Sequence, residues 1–271
     1  MWSSSGTMQR LSAHQRVTKV FDFQNHPVIG ENWRRRKLAS APWVTRTERS
    51  PNPVFTMASV DSRGSELPTV ANNSQIVEQL GEPASVWLYF SQLSQIPRRS
   101  GCEADVLRML EEFATERQFE CRRDAAGNTV ISRPGSGTGR EAPTVVIQNH
   151  VDMVCVKGDT SRHDFSMDPI RFVRDGGWGD DWLTADDTTL GSDNGIGVAI
   201  ALSVLDLPQE ASLPPIEALF TVDEETGLTG VQKLDPGLVT GRTLLNLDTE
   251  QWGEICVGSA GTGTTEILLP V

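Results

Sequence analysis

At 271 residues the chain is long enough to bury one large core or two small ones. Its 24 Lys/Arg and 36 Asp/Glu give a net charge of −12, and residues 1–50 hold nine of those bases against three acids, so the remaining 221 residues carry −18. An acidic body argues against nucleic acid or an anionic membrane as the main partner, and no apolar run reaches the roughly eighteen residues that a membrane span needs.

Residues 1–75 show little periodicity, are rich in Ser, Thr, Asn, Pro and Arg, and include "WRRRK" at 33–37. They are expected to be a disordered leader, an organelle presequence or an upstream extension before Met57. Order is expected to begin near Pro83. "PASVWLYFSQLSQI" (83–96) has helical apolar spacing and stops at Pro97. Ser100 has the position of an N-cap for "CEADVLRMLEEFATER", in which Val106, Leu107, Met109, Leu110 and Phe113 share one face. "FECRR" and "NTVISR" flank "DAAG" as a hairpin would. "TVVIQ" (144–148) is a continuously apolar run of the kind found in strands covered on both faces. "IGVAIALSVL" (196–205) reads as a buried helix, and "IEALFTV" and "TLLNL" as two further buried strands. Strands alternating with helices predict an α/β fold, a largely parallel sheet with flanking helices.

Four polar clusters sit where these elements end or begin, which is where such sheets place their chemistry. In "NHVD", His150 and Asp152 lie two apart and point to one side of an extended chain. A carboxylate there suits a metal-bound imidazole, which hands its second N–H to such a group; a satisfied or exposed histidine that binds no metal is the other reading. In "TTLGSDNGIG" (188–197), Asp193 sits in a Gly-rich turn entering the apolar helix, as an N-cap or as a ligand, and the glycines let backbone approach a bound group. In "FTVDEETG" (220–227), Glu224 and Glu225 follow a strand and point opposite ways on an extended chain, so one carboxylate can bind a cation while the other faces its water. Asp223 is the alternative base. In "LNLDTE", Asp248 ends a strand. One histidine with several carboxylates is the donor set of a dinuclear zinc hydrolase, with manganese or cobalt also suited. His163 in "RHDF" reads as a loop histidine, and Trp178 and Trp182 as cover for the core near Asp193. The four cysteines form no CxxC pair, as expected of reduced thiols in a cytoplasmic protein.

"NHVDMV", "TTLGSDNGIGVA", "FTVDEETG" and "LNLDTE", in that order, resemble the M20 metallopeptidases, and the aminoacyl-histidine (Xaa-His) dipeptidase branch in particular. "FSQLSQIPRRSGCEADVLRMLEEFA" is similar to the opening of that branch. The resemblance runs from about residue 84 to 261. It implies a zinc-peptidase-like catalytic domain that cleaves dipeptides, often with C-terminal histidine, using two Zn2+ per site. By motif, His150 and Asp248 would bind the first ion, Asp193 would bridge both, and Glu225 would bind the second. Asp152 would orient His150, and Glu224 would be the general base.

The family pattern also implies a metal-binding histidine far toward the C-terminus and an inserted lid and dimerisation domain after the Asp248 region. This sequence has no histidine after His163 and ends at "TEILLPV". Residues 76–261 are therefore expected to be an incomplete catalytic domain, and 262–271 the start of the lid and dimerisation domain through which family members form homodimers. Dipeptide hydrolysis by these 271 residues alone is expected to be weak. The alternatives are an N-acyl amino acid deacylase sharing the metal motifs, and a non-catalytic truncated pseudoenzyme.

Overall fold

The computed structural model describes residues 19–20, 68–174, 182–249, 255–258 and 264–265. The leader or presequence expected over residues 1–75 falls almost wholly outside them, as does Trp178. The chain divides into two compact units, Met1–Pro51 with Gln251–Val271, and Asn52–Glu250. In the first, Lys19–Val20 (β1) pairs antiparallel with Thr264–Thr265 (β9).

The second unit opens with a helix that periodicity does not announce, Pro68–Val77 (α1). It is held by a tertiary contact: the buried Asn73 carboxamide donates to the Ile170 carbonyl at 2.8 Å and accepts from the Phe172 amide at 2.8 Å. Helices Ala84–Leu93 (α2) and Ala104–Glu116 (α3) follow. All five apolar residues expected on one face of α3 are buried. Ser100 does not cap that helix. Glu103 occupies the N-cap without a capping side-chain bond, and the Ser100 hydroxyl turns to Asp152 instead.

The hairpin Glu120–Arg123 (β2) and Thr129–Arg133 (β3) leads to Val145–His150 (β4). After the small ribbon Phe172–Arg174 (β5) and Leu183–Ala185 (β6) come Ser192–Leu205 (α4), Ile216–Thr221 (β7), the short Thr229–Gln232 (α5) and Thr243–Asn246 (β8). The main sheet has the order β2-β3-β7-β4-β8. Strands β7, β4 and β8 are parallel, and the hairpin joins β7 antiparallel, so the sheet is mixed with a parallel centre. Ile131, Ile147, Ala218 and Phe220 face α2, α3 and α4 in the larger core. Their neighbours Val130, Val146 and Leu219 face the other way, under Leu238. Among the described residues, no helix is long and apolar enough to cross a membrane.

Register then places the chemistry. His150 lies level with Thr221 across β4 and β7, and Gln148 with Asn246 across β4 and β8. Three adjacent parallel strands thus end side by side, each leading into one of the acidic motifs, and α4 begins above them.

Strand β8 corrects the expectation of a buried "TLLNL". Every residue of β8 is exposed, including Leu244 at 55% and Leu245 at 51%. Successive side chains point to opposite faces, so among the described residues neither face of Thr243–Asn246 is covered, and of "TLLNL" Leu247 alone is partly buried, against the larger core. A buried and a naked strand have the same composition when only the packing beyond them differs. Open apolar edges template self-association. Replacing both leucines by lysine is expected to lower light scattering and the apparent size on gel filtration, with circular dichroism unchanged.

Candidate metal centre and active site

His150 terminates β4 and is 1% exposed. Its Nδ1 lies 3.2 Å from Asp152 Oδ1 and 3.1 Å from the Asp152 carbonyl. Its Nε2 faces outward, 2.9 Å from Asp193 Oδ1, 3.9 Å from Asp248 Oδ2 and 4.0 Å from Glu224 Oε2. Ligand atoms of His150, Asp193 and Glu225 all fall within 4.8 Å of one another. The structure therefore brings together all six side chains named by motif: His150, Asp152, Asp193, Glu224, Glu225 and Asp248.

Asp152 organises the group from beneath and is fully buried. Its Oδ1 accepts the Glu224 amide at 3.1 Å, and its Oδ2 accepts the Glu225 amide at 3.1 Å and the Ser100 hydroxyl at 2.8 Å. Burial alone would raise its pKa, but these bonds and the one to His150 hold it down at about 2. The two glutamates are not on an extended strand. β7 stops at Thr221, and the turn that follows points successive amides at one carboxylate. Both side chains consequently reach the surroundings of Nε2, rather than opposite faces.

Asp193 is not a helix cap either. It lies in the first turn of α4 but has extended dihedrals, φ −81° and ψ 113°, and its side chain is 65% exposed beside His150. Asn194 donates to the Leu247 carbonyl at 2.9 Å, which ties the start of α4 to the segment carrying Asp248.

The electrostatics are those of crowded anions. Burial raises the pKa of Glu224, Glu225 and Asp248, and each is raised further by neighbouring carboxylates, with His150 opposing. For His150, burial favours the neutral ring, but hydrogen bonds to Asp152 and Asp193 and the charges of Asp152 and Asp248 prevail, lifting its pKa to about 9. One imidazole and mutually repelling carboxylates around a single point form a donor set that fits a divalent cation.

A second acidic trio, Glu103, Asp152 and Asp223, is occupied otherwise. Glu103 Oε1 accepts the amides of Gly101 and Asp223, both at 3.0 Å, and the Asp223 carboxylate bonds the hydroxyls of Thr226 and Thr229. Asp223 is thereby committed to its own turn. His163 packs edge-on against Phe165 and lines a separate depression. Trp182 is 59% exposed, just before β6, and does not pack against the described core. Sequence reasoning gave no part in the site to Arg98 or Asn194 and read Ser100 as a helix cap, yet all three bond the loops of this site.

Among known proteins, no family model matches the chain. The cytosol non-specific dipeptidase of Escherichia coli (strain K12) is 37% identical over 179 residues, covering 66% of this chain and 36% of that protein. The aminoacylhistidine dipeptidase structure from Vibrio alginolyticus superposes with a TM-score of 0.60 at 42% identity, covering 65% of this chain and 34% of that one. A Staphylococcus aureus tripeptidase, at 22% identity and TM-score 0.51, shares the fold. The chain spans about a third of the length of the first two relatives. Over about two thirds of its own length, this chain is thus similar to the aminoacyl-histidine dipeptidases in sequence and in fold, as its motifs imply.

Proposed function

We propose that the chain carries the metal-binding and proton-transfer machinery of a dipeptide hydrolase acting on Xaa-His substrates. One observation carries this reading: the outward Nε2 of a buried histidine meets Asp193, Asp248 and Glu224, while its Nδ1 is held by Asp152. His150, Asp193 and Asp248 would hold a first ion, a three-ligand set of catalytic type. Asp193 and Glu225 would hold a second. Zinc suits these nitrogen and oxygen donors, and so do manganese and cobalt. Such ions, when bound, acidify water and polarise the peptide carbonyl.

The rest is done by the chain's own groups. Asp152 fixes the ring and tautomer of His150. Glu224 is half-buried with a raised pKa, the state wanted in a carboxylate that accepts a proton from water and returns it to the leaving amine. A cavity of about 100 Å³ opens beside Glu224 and Asp248, lined by Gln148, Val222, Leu228 and Val231, and gives a substrate residue a place next to both. The name of the Escherichia coli relative and four unpaired cysteines support a cytoplasmic location.

Asp193 and Glu225 would offer the second ion two carboxylates, whereas the first would have three ligands, so the first ion is expected to bind more tightly. Equilibrium dialysis against zinc, followed by assays on Ala-His, β-Ala-His and N-acetyl amino acids, tests the reading. It fails in favour of a deacylase if only the N-acetyl compounds are cleaved, and in favour of a non-catalytic protein if no ion is retained.

A further inference from the structure

The connection between α2 and α3, "RRSGCE" at 98–103, touches three of the four loops of the site: those after β4 and β7 and the turn before α4. Ser100 bonds Asp152, and Glu103 bonds the Asp223 amide. The strongest contact is made by Arg98. It is 2% exposed, and its guanidinium Nη1 donates to the carbonyls of Val151 at 3.0 Å and Asp152 at 3.2 Å, while Nη2 donates to the carbonyl of Gly191. The Asp152 carbonyl is also one of the two oxygens facing His150 Nδ1. One planar fork therefore spans the segment that follows His150 and the turn that precedes Asp193.

The Gly-rich turn is shaped around this group. A Cβ at Gly191 would lie 2.4 Å from Nη2, and one at Gly195 would lie 2.7 Å from it. These glycines make room for a protein cation rather than for a ligand. Burial lowers the Arg98 pKa to about 10, with Asp152, Cys155, Asp193 and Glu225 supporting the charge, so the side chain stays cationic at neutral pH.

Resting on the metal-centre reading above, we propose that Arg98 is the positioning residue that sets His150 against Asp193, by clamping the backbone on either side of the ion site. A lysine keeps the charge but cannot serve three carbonyls in one plane. Partners of this kind typically govern about 10–100-fold in metal affinity.

The test is cobalt titration of the metal-free chain, followed by the visible d–d absorption and by the folded fraction from circular dichroism. Arg98→Lys is expected to raise the Kd for Co2+ about 10–100-fold and to alter the band, with the folded fraction retained. Arg98→Ala is expected to regain affinity with added ethylguanidinium but not with ethylammonium. Wild-type Kd and spectrum in Arg98→Lys would overturn the proposal, as would losses that follow the unfolded fraction alone. If the wild-type chain takes up no cobalt, the metal-centre reading fails. The clamp is then read without metal, from the downfield NMR resonance of the His150 Nδ1 proton, which must shift in Arg98→Lys. An unchanged resonance overturns the clamp.

Discussion

Zinc affinity of the metal-free chain is expected to rise about tenfold per pH unit up to about pH 9, with close to one proton released per ion at pH 7. The cause is His150. Its Nε2 must be unprotonated to bind a cation, yet its hydrogen bonds to Asp152 and Asp193 favour the protonated ring and place its pKa near 9 rather than 6.5. Each unit below that value cuts the competent fraction about tenfold, about 1.4 kcal/mol per unit. From pH 6 to 9 the gain is about a thousandfold, or about 4 kcal/mol. Asp152, held near 2, remains ionised across this range and adds no slope. The metal-free fold responds in the opposite sense. A raised folded pKa contributes stability that is fully present below about 6.5 and is lost as pH climbs through about 9. Calorimetry in two buffers of different ionisation enthalpy counts the proton, and competition with a chromophoric chelator gives the slope. A slope that levels off near 6.5 would show that the ring is not held as the structure has it. His150→Gln should flatten the dependence while weakening binding at every pH.

The same site shows what a sequence can and cannot display. Helix α3 is legible because its apolar periodicity is set by local geometry and satisfied by burial on the expected face, and strands β4 and β7 and helix α4 because continuous apolar runs suit elements covered on all sides. The motifs are legible because strand ends in parallel sheets converge. Arg98 is not. In "PRRS" two adjacent arginines look alike, yet Arg98 is buried against three carbonyls and Arg99 is exposed. The trace it leaves is indirect: glycines at 191 and 195, where a Cβ would strike its guanidinium. Ser100 and Asp193 mislead for a related reason. Both are good capping residues, and only the tertiary position of Asp152 and His150 diverts their oxygens elsewhere. Leu244 and Leu245 mislead because burial belongs to what packs beyond a strand, not to the strand itself.

Glu224→Gln is expected to lower hydrolysis of Ala-His by the zinc-loaded chain about 10²–10⁴-fold, which is about 3–5 kcal/mol on the barrier. The amide has nearly the shape of the carboxylate but cannot take up a proton. Its main-chain N–H still reaches Asp152 Oδ1, because that bond belongs to the backbone. The zinc content should therefore stay near the wild-type value, with kcat rather than KM carrying the loss. Asp152→Asn supplies the contrast. It removes an ionised acceptor shared by Ser100, His150 and the amides of Glu224 and Glu225, so zinc affinity and rate should fall together. Asp223→Asn supplies the other contrast: its carboxylate is bound to Thr226 and Thr229 within its own turn, so the change should leave the rate within a few-fold. A Glu224→Gln protein that keeps both its metal and its rate would assign proton transfer to a different group. Loss of rate in Asp223→Asn alone would point to the neighbouring acid, moved out of its turn when substrate binds.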